Sequence, residues 1–316
     1  METINEILLI IPTKNEAPSI GAVLKAVPQK VENVPVKTLV IDARSTDGTD
    51  RIVEEEHVRM VTQLSRGGKG AAMIEASAMT TSEIICFVDG DDTYPVEDLP
   101  RLVRPILEGK ADMVVGSRIL GKREHGSISA ANLIGNKLFN SMTNFALKSQ
   151  ITDMLSGFRA IRRESFERLF LSTSSFEIEA EITIEALAKD LRIVEIPINY
   201  RRRTGNPTKL DPIRDGYTIL KVLVLVLLDT RPFLFFGIAS GIVFIIGIYP
   251  AALVISEKLS TGTIQHLPSA IFASMLWVLS AIVFVFGVIS QLIVISRRRI
   301  EDLILRQATR MKERCS

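Results

Sequence analysis

Up to about residue 200, short apolar runs alternate with longer stretches in which apolar residues recur every third or fourth place. Uninterrupted short runs fit buried strands, and the three-to-four spacing fits amphipathic helices. EILLIIP (6–12), VKTLVID (36–42), VRMVTQ (58–63), SEIICFVD (82–89) and ADMVVGSR (111–118) therefore read as strands. Between them SIGAVLKAVPQ, STDGTDRIVEEE, GKGAAMIEASAMTT and VEDLPRLVRPILEG read as helices, with Ser45 or Thr46 placed to cap the second. This alternation predicts an α/β domain with right-handed crossovers and a mostly parallel sheet. Ligands of such sheets gather at the carboxyl ends of the strands. Asp42, Asp89 and Arg118 each fall at one, so they are expected to face a common cleft. Further on, AANLIGNKLFNSMTNFALKS (130–149) and SSFEIEAEITIEALAKD (174–190) read as helices and LRIVEIPINY (191–200) as a late strand.

The pattern then changes. Phe233 to Ile255 is a run of 23 uncharged residues. As a helix it measures about 34 Å, enough to cross a hydrocarbon core of about 30 Å. A second uncharged stretch, Leu267 to Ser296, follows a short connection. Arg231 precedes the first span, and Arg297, Arg298 and Arg299 follow the second. The positive-inside rule places both flanks, and with them the N-terminal domain, in the cytoplasm at the cell membrane. The apolar run Val222 to Leu228 is too short to span and is expected to lie in the interface. The organisation expected is thus a domain over 1–212, an interfacial helix over 213–230, a two-helix hairpin over 231–296 and a basic tail over 297–316. Gly237 and Gly241 have GxxxG spacing, which close packing of the two spans explains.

Composition adds limits. Of 316 residues 47% are hydrophobic and 23% charged, too apolar for an ordinary soluble enzyme and too charged for a bare membrane bundle. A net charge of only +2 gives no footprint for nucleic acid. Cys86 and Cys315 make no disulfide framework, which suits a reducing compartment. The N-terminal METINEILLIIPTKNE has acids on both sides of its apolar run and reads as a first strand, not a signal peptide.

Chemistry concentrates where the fourth strand ends. In VDGDDTYP, Asp89 and Asp91 have the D-x-D spacing that suits a hard divalent cation, Mg2+ or Mn2+, with waters and phosphate oxygens completing its shell. A turn rich in Asp and Gly accounts for the same residues. RGGKG (66–70), opening a helix, suits a phosphate cradle or a flexible turn, and it lacks the Walker A spacing. YRRRTGNPTKL (200–210) puts four cations in a loop before the membrane segment, fit either to grip a phosphate or to attract anionic lipid.

Taken together, IPTKNE (11–16), VIDARSTDGT (40–49), GKGAA (68–72), VDGDDTYP (88–95), VVGSR (114–118), DMLSGFRAIRRE (153–164) and YRRRTGNPTKL resemble the successive motifs of glycosyltransferase family 2, with the GT-A fold. More narrowly they resemble its polyprenyl-phosphate (dolichyl-phosphate) sugar synthases. The resemblance implies inverting transfer of one sugar from a nucleotide sugar to a polyprenyl phosphate at the bilayer, with Mg2+ or Mn2+. It places Pro12, Asn15, Glu16, Asp42, Lys69, Asp89 and Gly90 around the nucleotide sugar, and the metal on Asp91 and Asp89. Arg118, Ser129, Asn132, Arg203 and Lys209 fall to the acceptor phosphate, with Asn136 as a further candidate. Asp89, Asp91, Arg118 and Arg203 carry catalysis, and Asp153 to Arg159, Glu177 and Glu179 shape the sugar side.

The chain departs from the pattern in three places. Ala43 and Arg44 follow Asp42 where many relatives have a second acid. Thr93 stands where mannosyl-phosphate synthases often carry an amide, which favours UDP-glucose or UDP-N-acetylglucosamine over GDP-mannose. ISAANLIGN (128–136) lacks the basic residue that many relatives have there. A processive polysaccharide synthase fails because the only tryptophan, Trp277, lies in the second span, away from any QxxRW motif. Transfer to a neutral lipid hydroxyl would need a base, for which Asp153 is the candidate. A membrane-anchored nucleotide-binding scaffold is the reading outside the enzyme class, and a homo-oligomer is compatible with any of these.

Overall fold

The structure is a computed structural model that describes residues 4–65, 67–128, 130–171, 178–203, 224, 227–228 and 231–315. Two compact units divide it, Met1–Leu223 and Val224–Ser316. Ser129, Glu177, Lys209 and most of the expected interfacial helix lie outside the described residues.

In the first unit the elements run β1 (Ile7–Thr13), α1 (Ile20–Ala26), β2 (Lys30–Val31), β3 (Val34–Asp42), α2 (Thr49–Glu55), β4 (Arg59–Thr62), α3 (Lys69–Ala78) and β5 (Ile84–Phe87). Then come α4 (Leu99–Leu107), β6 (Met113–Ser117), α5 (Ala130–Leu147), β7 (Arg159–Arg162), α6 (Arg163–Glu167), α7 (Ile178–Ala188) and β8 (Ile193–Pro197). The sheet order is β2-β3-β1-β5-β7-β6-β8, with β4 beside β3. Parallel pairing joins β4, β3, β1 and β5, and again β6 with β8. β7 is antiparallel to both its neighbours, β5 and β6. It returns the chain into the middle of the sheet, so the loop before it enters at the carboxyl ends of β5 and β6.

Both faces of the sheet are covered, which is why β1 reads as an unbroken apolar run. Ile7, Leu9 and Ile11 pack in one core with Val23, Leu102 and Ile106, while Leu8 and Ile10 pack in the other with Met73, Ala76, Ile178 and Ile182. One detail differs from expectation: α2 is capped by Gly48 in the left-handed region (φ 90°), not by Ser45 or Thr46. Those two residues serve the site loop instead.

The second unit is a helical hairpin, α8 (Pro232–Thr261) and α9 (Leu267–Cys315). Its spans, Pro232–Thr261 and Leu267–Arg297, are long and apolar enough to cross a membrane. No break separates the second span from the tail, because α9 is one helix of 49 residues. The close packing does not use the GxxxG pair: Gly237 and Gly241 have nothing within 4 Å of a built Cβ. Gly247 and Gly287 make the contact, their built Cβ atoms falling 2.8 Å from Trp277 and from Phe236 Cβ. Ser240 and Ser280 are buried between the helices and hydrogen-bonded to each other at 3.0 Å.

Candidate active site

Three strand ends supply the site. β1 and β3 run in register to Thr13 and Asp42, so the two loops that follow meet. Asp42, 4% exposed, accepts from Thr13 Oγ1 (3.2 Å), Ser45 Oγ (2.5 Å) and the Ser45 amide (2.8 Å). Its carboxylate therefore organises its own loop. Asn15, at φ 57°, donates its amide to Ser45 Oγ (2.8 Å) and accepts from the Thr46 amide (2.9 Å). Glu16 donates its amide to Thr49 Oγ1 at 3.0 Å, which fixes the acid at the mouth of the site. Pro12, paired with Ile41, leads the chain into this loop.

β5 delivers the acid pair. Asp89 forms an ion pair with Lys69, whose ammonium also contacts Glu179 of α7. Burial alone would lower the Lys69 pKa, but the Asp89 and Glu179 charges outweigh it and hold the group raised and protonated. The lysine of the RGGKG stretch is thus committed to carboxylates. Gly157 closes this corner: a Cβ there would lie 2.8 Å from Asp89 Oδ2 and 3.1 Å from Lys69 Nζ. The Gly157 amide donates to the Tyr94 hydroxyl at 2.8 Å. Gly90 is equally close-packed, a built Cβ meeting Thr13 Cγ2 at 3.0 Å.

Asp91 accepts from Thr93 Oγ1 (2.6 Å) and the Thr93 amide (3.2 Å), and its other oxygen faces Arg203 Nε at 3.5 Å. Arg203 in turn donates to Glu16 at 2.6 Å. Burial and the neighbouring charge of Asp89 raise the Asp91 pKa. Among the described residues, the carboxylates of Glu16, Asp89, Asp91 and Glu179 meet the cations of Lys69 and Arg203 in one cluster. Among the described residues no group of three or more His, Cys, Asp or Glu forms a closed metal cage. The donor set therefore fits an ion that takes one or two carboxylates and completes its shell from substrate phosphates and water.

Arg118, at the end of β6, has a carboxylate partner of its own. Its Nε and Nη2 donate to the two oxygens of Asp153 (2.8 and 2.7 Å), and its amide adds a third bond at 2.9 Å. The guanidinium lies over the Tyr200 ring, 5.4 Å from its centroid. Asp153 is fully buried; burial would raise its pKa, but Arg118 prevails and lowers it. A carboxylate so placed is a poor proton acceptor.

Sequence reasoning missed what holds this corner. Asn136, Asn140 and Asn144 repeat every four residues along α5, so they share one face. They bond Asp153 (3.1 Å), the Thr152 carbonyl and the Ile151 carbonyl (2.8 Å). Asn132 is one turn earlier on the same helix. Glu195 of β8 holds the loop from the other side, accepting from the amides of Thr152 (2.8 Å) and Asp153 (2.9 Å). Arg159, fully buried, donates to the carbonyls of Ser156, Met154 and Glu179 and so ties the loop to α7. A four-residue asparagine spacing was the signal available for α5. Nothing in the sequence marks Arg159 as buried.

The profile described as Glycosyl transferase family 2 matches residues 8–170. The chain belongs to this family. The glycosyltransferase is 33% identical over 310 residues to Glycosyltransferase AglJ of Haloferax volcanii, covering 96% of this chain and 100% of that protein. It is 31% identical over 229 residues to the Dolichyl-phosphate hexose transferase of the same organism, covering 72% of this chain and 97% of the relative. Its fold matches the crystal structure of glucosyl-3-phosphoglycerate synthase from Mycobacterium tuberculosis with Mn2+, UDP-glucose and phosphoglyceric acid. There the TM-score is 0.58 and the identity 22%, over 70% of this chain and 79% of that one. That likeness establishes the GT-A fold of the sheet domain.

Proposed function

We propose that the glycosyltransferase transfers a single sugar, a hexose or N-acetylhexosamine, with inversion, from a nucleotide sugar to a polyprenyl (dolichyl) phosphate at the cytoplasmic face of the membrane. UDP-glucose or UDP-N-acetylglucosamine is the donor class that the sequence favours. The observation carrying the proposal is the Asp89 and Asp91 pair at the carboxyl end of β5, held by Lys69 and Arg203, in a chain with two membrane-length helices. The dolichyl-phosphate hexose transferase similarity extends over most of the sheet domain and supports the acceptor class.

Asp91 and Asp89 would hold the Mg2+ or Mn2+, which when bound neutralises charge gathering on the departing nucleoside diphosphate. Arg203 lies beside Asp91 and is positioned to bind a phosphate oxygen once Glu16 releases it. Glu179 and Lys69 fix the orientation of Asp89. The acceptor needs little help to become a nucleophile, because a phosphomonoester with a second pKa of about 6 is already largely anionic at neutral pH. Asp153, buried and ion-paired with Arg118, suits the role of a structural anion and not that of a base, which disfavours a neutral hydroxyl acceptor.

The test is a donor panel. Purified protein in lipid nanodiscs receives UDP- and GDP-hexoses and UDP-N-acetylglucosamine with Mn2+ and dolichyl phosphate, and the lipid fraction is read by mass spectrometry. A dolichyl-phosphate sugar is expected with one donor, and its yield should fall on chelation. Product on dolichol but none on dolichyl phosphate would overturn the acceptor assignment. No product with any donor would overturn the function.

A further inference from the structure

The site described above uses Asp89 and Asp91 of DGDDT and leaves the third acid, Asp92, without a role. It also leaves Arg201, one of the loop cations that the sequence offers to a phosphate or to anionic lipid. The structure pairs these two residues with each other. Arg201 Nη1 donates to Asp92 Oδ1 at 3.1 Å, and its Nη2 contacts Glu97. Both ends of this guanidinium are therefore engaged by carboxylates of the protein.

The pair holds a turn that the backbone alone resists. Asp92 has φ 58°, in the left-handed region, which a side chain disfavours and which Asp tolerates better than most residues. Before it, the Gly90 carbonyl accepts from Ser19 Oγ at 2.8 Å. After it, the Thr93 carbonyl accepts from the Arg201 amide at 2.9 Å. Thr93 in turn holds the Asp91 carboxylate by its own amide and hydroxyl. Arg201 thus grips the turn twice, by its main chain at Thr93 and by its side chain at Asp92. Where Thr93 is fixed decides where Asp91 points. Arg201 is itself firmly carried: the Tyr200 amide donates to the Lys122 carbonyl (2.9 Å), the Glu124 amide donates to the Tyr200 carbonyl (3.0 Å), and the Arg202 amide donates to Glu124 Oε2 (2.8 Å). Were Asp92 a metal ligand, it would stand with Asp89 and Asp91 as a group of three acids. Among the described residues no such group forms.

We propose that Asp92 and Arg201 are positioning residues: their bond fixes the left-handed turn that presents Asp91 to the metal, and Asp92 is not itself a ligand. The inference rests on the metal part of the proposed function and is independent of the sugar and the acceptor. Positioning of this kind asks for an acceptor oxygen on a residue that tolerates the left-handed region. It does not ask for a charge, and asparagine meets both needs.

Mn2+ alone, without substrate, is the probe. Full-length protein in lipid nanodiscs is titrated with the ion, and free Mn2+ is read by electron paramagnetic resonance. A parent protein that takes up no Mn2+ would overturn the metal of the proposed function, and this inference with it; the variants decide the inference alone. Asp92→Gly removes the carboxylate without straining the turn, and Arg201→Ala removes its partner. Each is expected to weaken Mn2+ binding about tenfold, as when a group that orients a metal ligand is removed. The double variant should bind no more weakly than either single one, because all three lack the same bond. Asp92→Asn keeps the bond and is expected to restore what Asp92→Gly loses. The two side chains are 27% and 36% exposed, so the variants are expected to fold, and melting curves taken alongside check it. Equal losses in Asp92→Asn and Asp92→Gly would make Asp92 a ligand and overturn the proposal, a result that stands even if Arg201→Ala fails to fold. Additive losses in the double variant, or parental affinity in both single variants, would overturn it as well.

Discussion

Asp91 is the residue whose environment most clearly asks for a ligand. Its pKa is raised, first by burial and then by Asp89, so the folded protein without metal favours protonated Asp91 more than the unfolded chain does. For a raised carboxylate the relative stability is greatest below its ordinary pKa and is lost as pH rises through the raised value. At neutral pH the metal-free protein therefore bears the cost. Asp91→Asn is expected to raise the melting temperature of metal-free protein at pH 7.5, by about 2–4 °C for each kcal/mol relieved. Mn2+ with a nucleoside diphosphate should raise the melting temperature of the parent and not of the variant, whose turnover should fall about a hundredfold or more. Gly157 makes a complementary case. Gly157→Ala would place a methyl 2.8 Å from Asp89 Oδ2, against the Lys69 ion pair. Expected is a fall in kcat well beyond the change in thermal stability, measured side by side. The acid pair was legible because the D-x-D spacing stands at the carboxyl end of an apolar strand, where ligands of such sheets gather. The partner set was not: that Lys69 answers Asp89 and Glu179, about a hundred positions apart, depends on α3 and α7 packing on one face of the sheet.

Among the elements, the parallel strands and their helices were readable from apolar periodicity, most plainly β1, β5 and β6, which are buried on both faces. β7 was not. It is four residues long with arginine at both ends, Arg159–Arg162, so it carries no apolar run, yet it sits between β5 and β6. Its importance lies in the loop it brings to the site, which α5 holds by three asparagines and Glu195 holds from β8. Asp153 is the centre of that loop, and its depressed pKa means its contribution is complete at neutral pH and lost as the pH falls below the ordinary carboxylate range. Asp153→Asn leaves Arg118 buried without its partner, a loss expected to cost about 3–5 kcal/mol. Denaturant unfolding at pH 7 should show that loss, and the gap between parent and variant should narrow towards pH 3. A shallower loss, with the acidic limb of the activity profile abolished, would instead mark Asp153 as a base.

For the whole molecule, the division into a sheet domain and a hairpin is written in charge: between Lys258 and Arg297 there is no Asp, Glu, Lys or Arg. Which faces of the spans meet is not written there. GxxxG points to Gly237 and Gly241, whereas the helices close on Gly247, Gly287 and the Ser240–Ser280 pair. In lipid there is no hydrophobic gain from bringing two apolar helices together, so small residues that allow close approach and interhelical hydrogen bonds must hold them. Leucine at Gly247 or Gly287 would drive into Trp277 or Phe236 and force the pair apart. Leucine at Gly237 meets open space within the hairpin. Gly247→Leu and Gly287→Leu should therefore lower the unfolding temperature of the detergent-solubilised protein, and Gly237→Leu should not. Ser240→Ala should cost about 0.6 kcal/mol and at most about 1.7, the range for hydrogen bonds between membrane helices. The reverse ranking of the glycines would mean that the spans pack through the GxxxG face, and that Ser240 and Ser280 are not their contact.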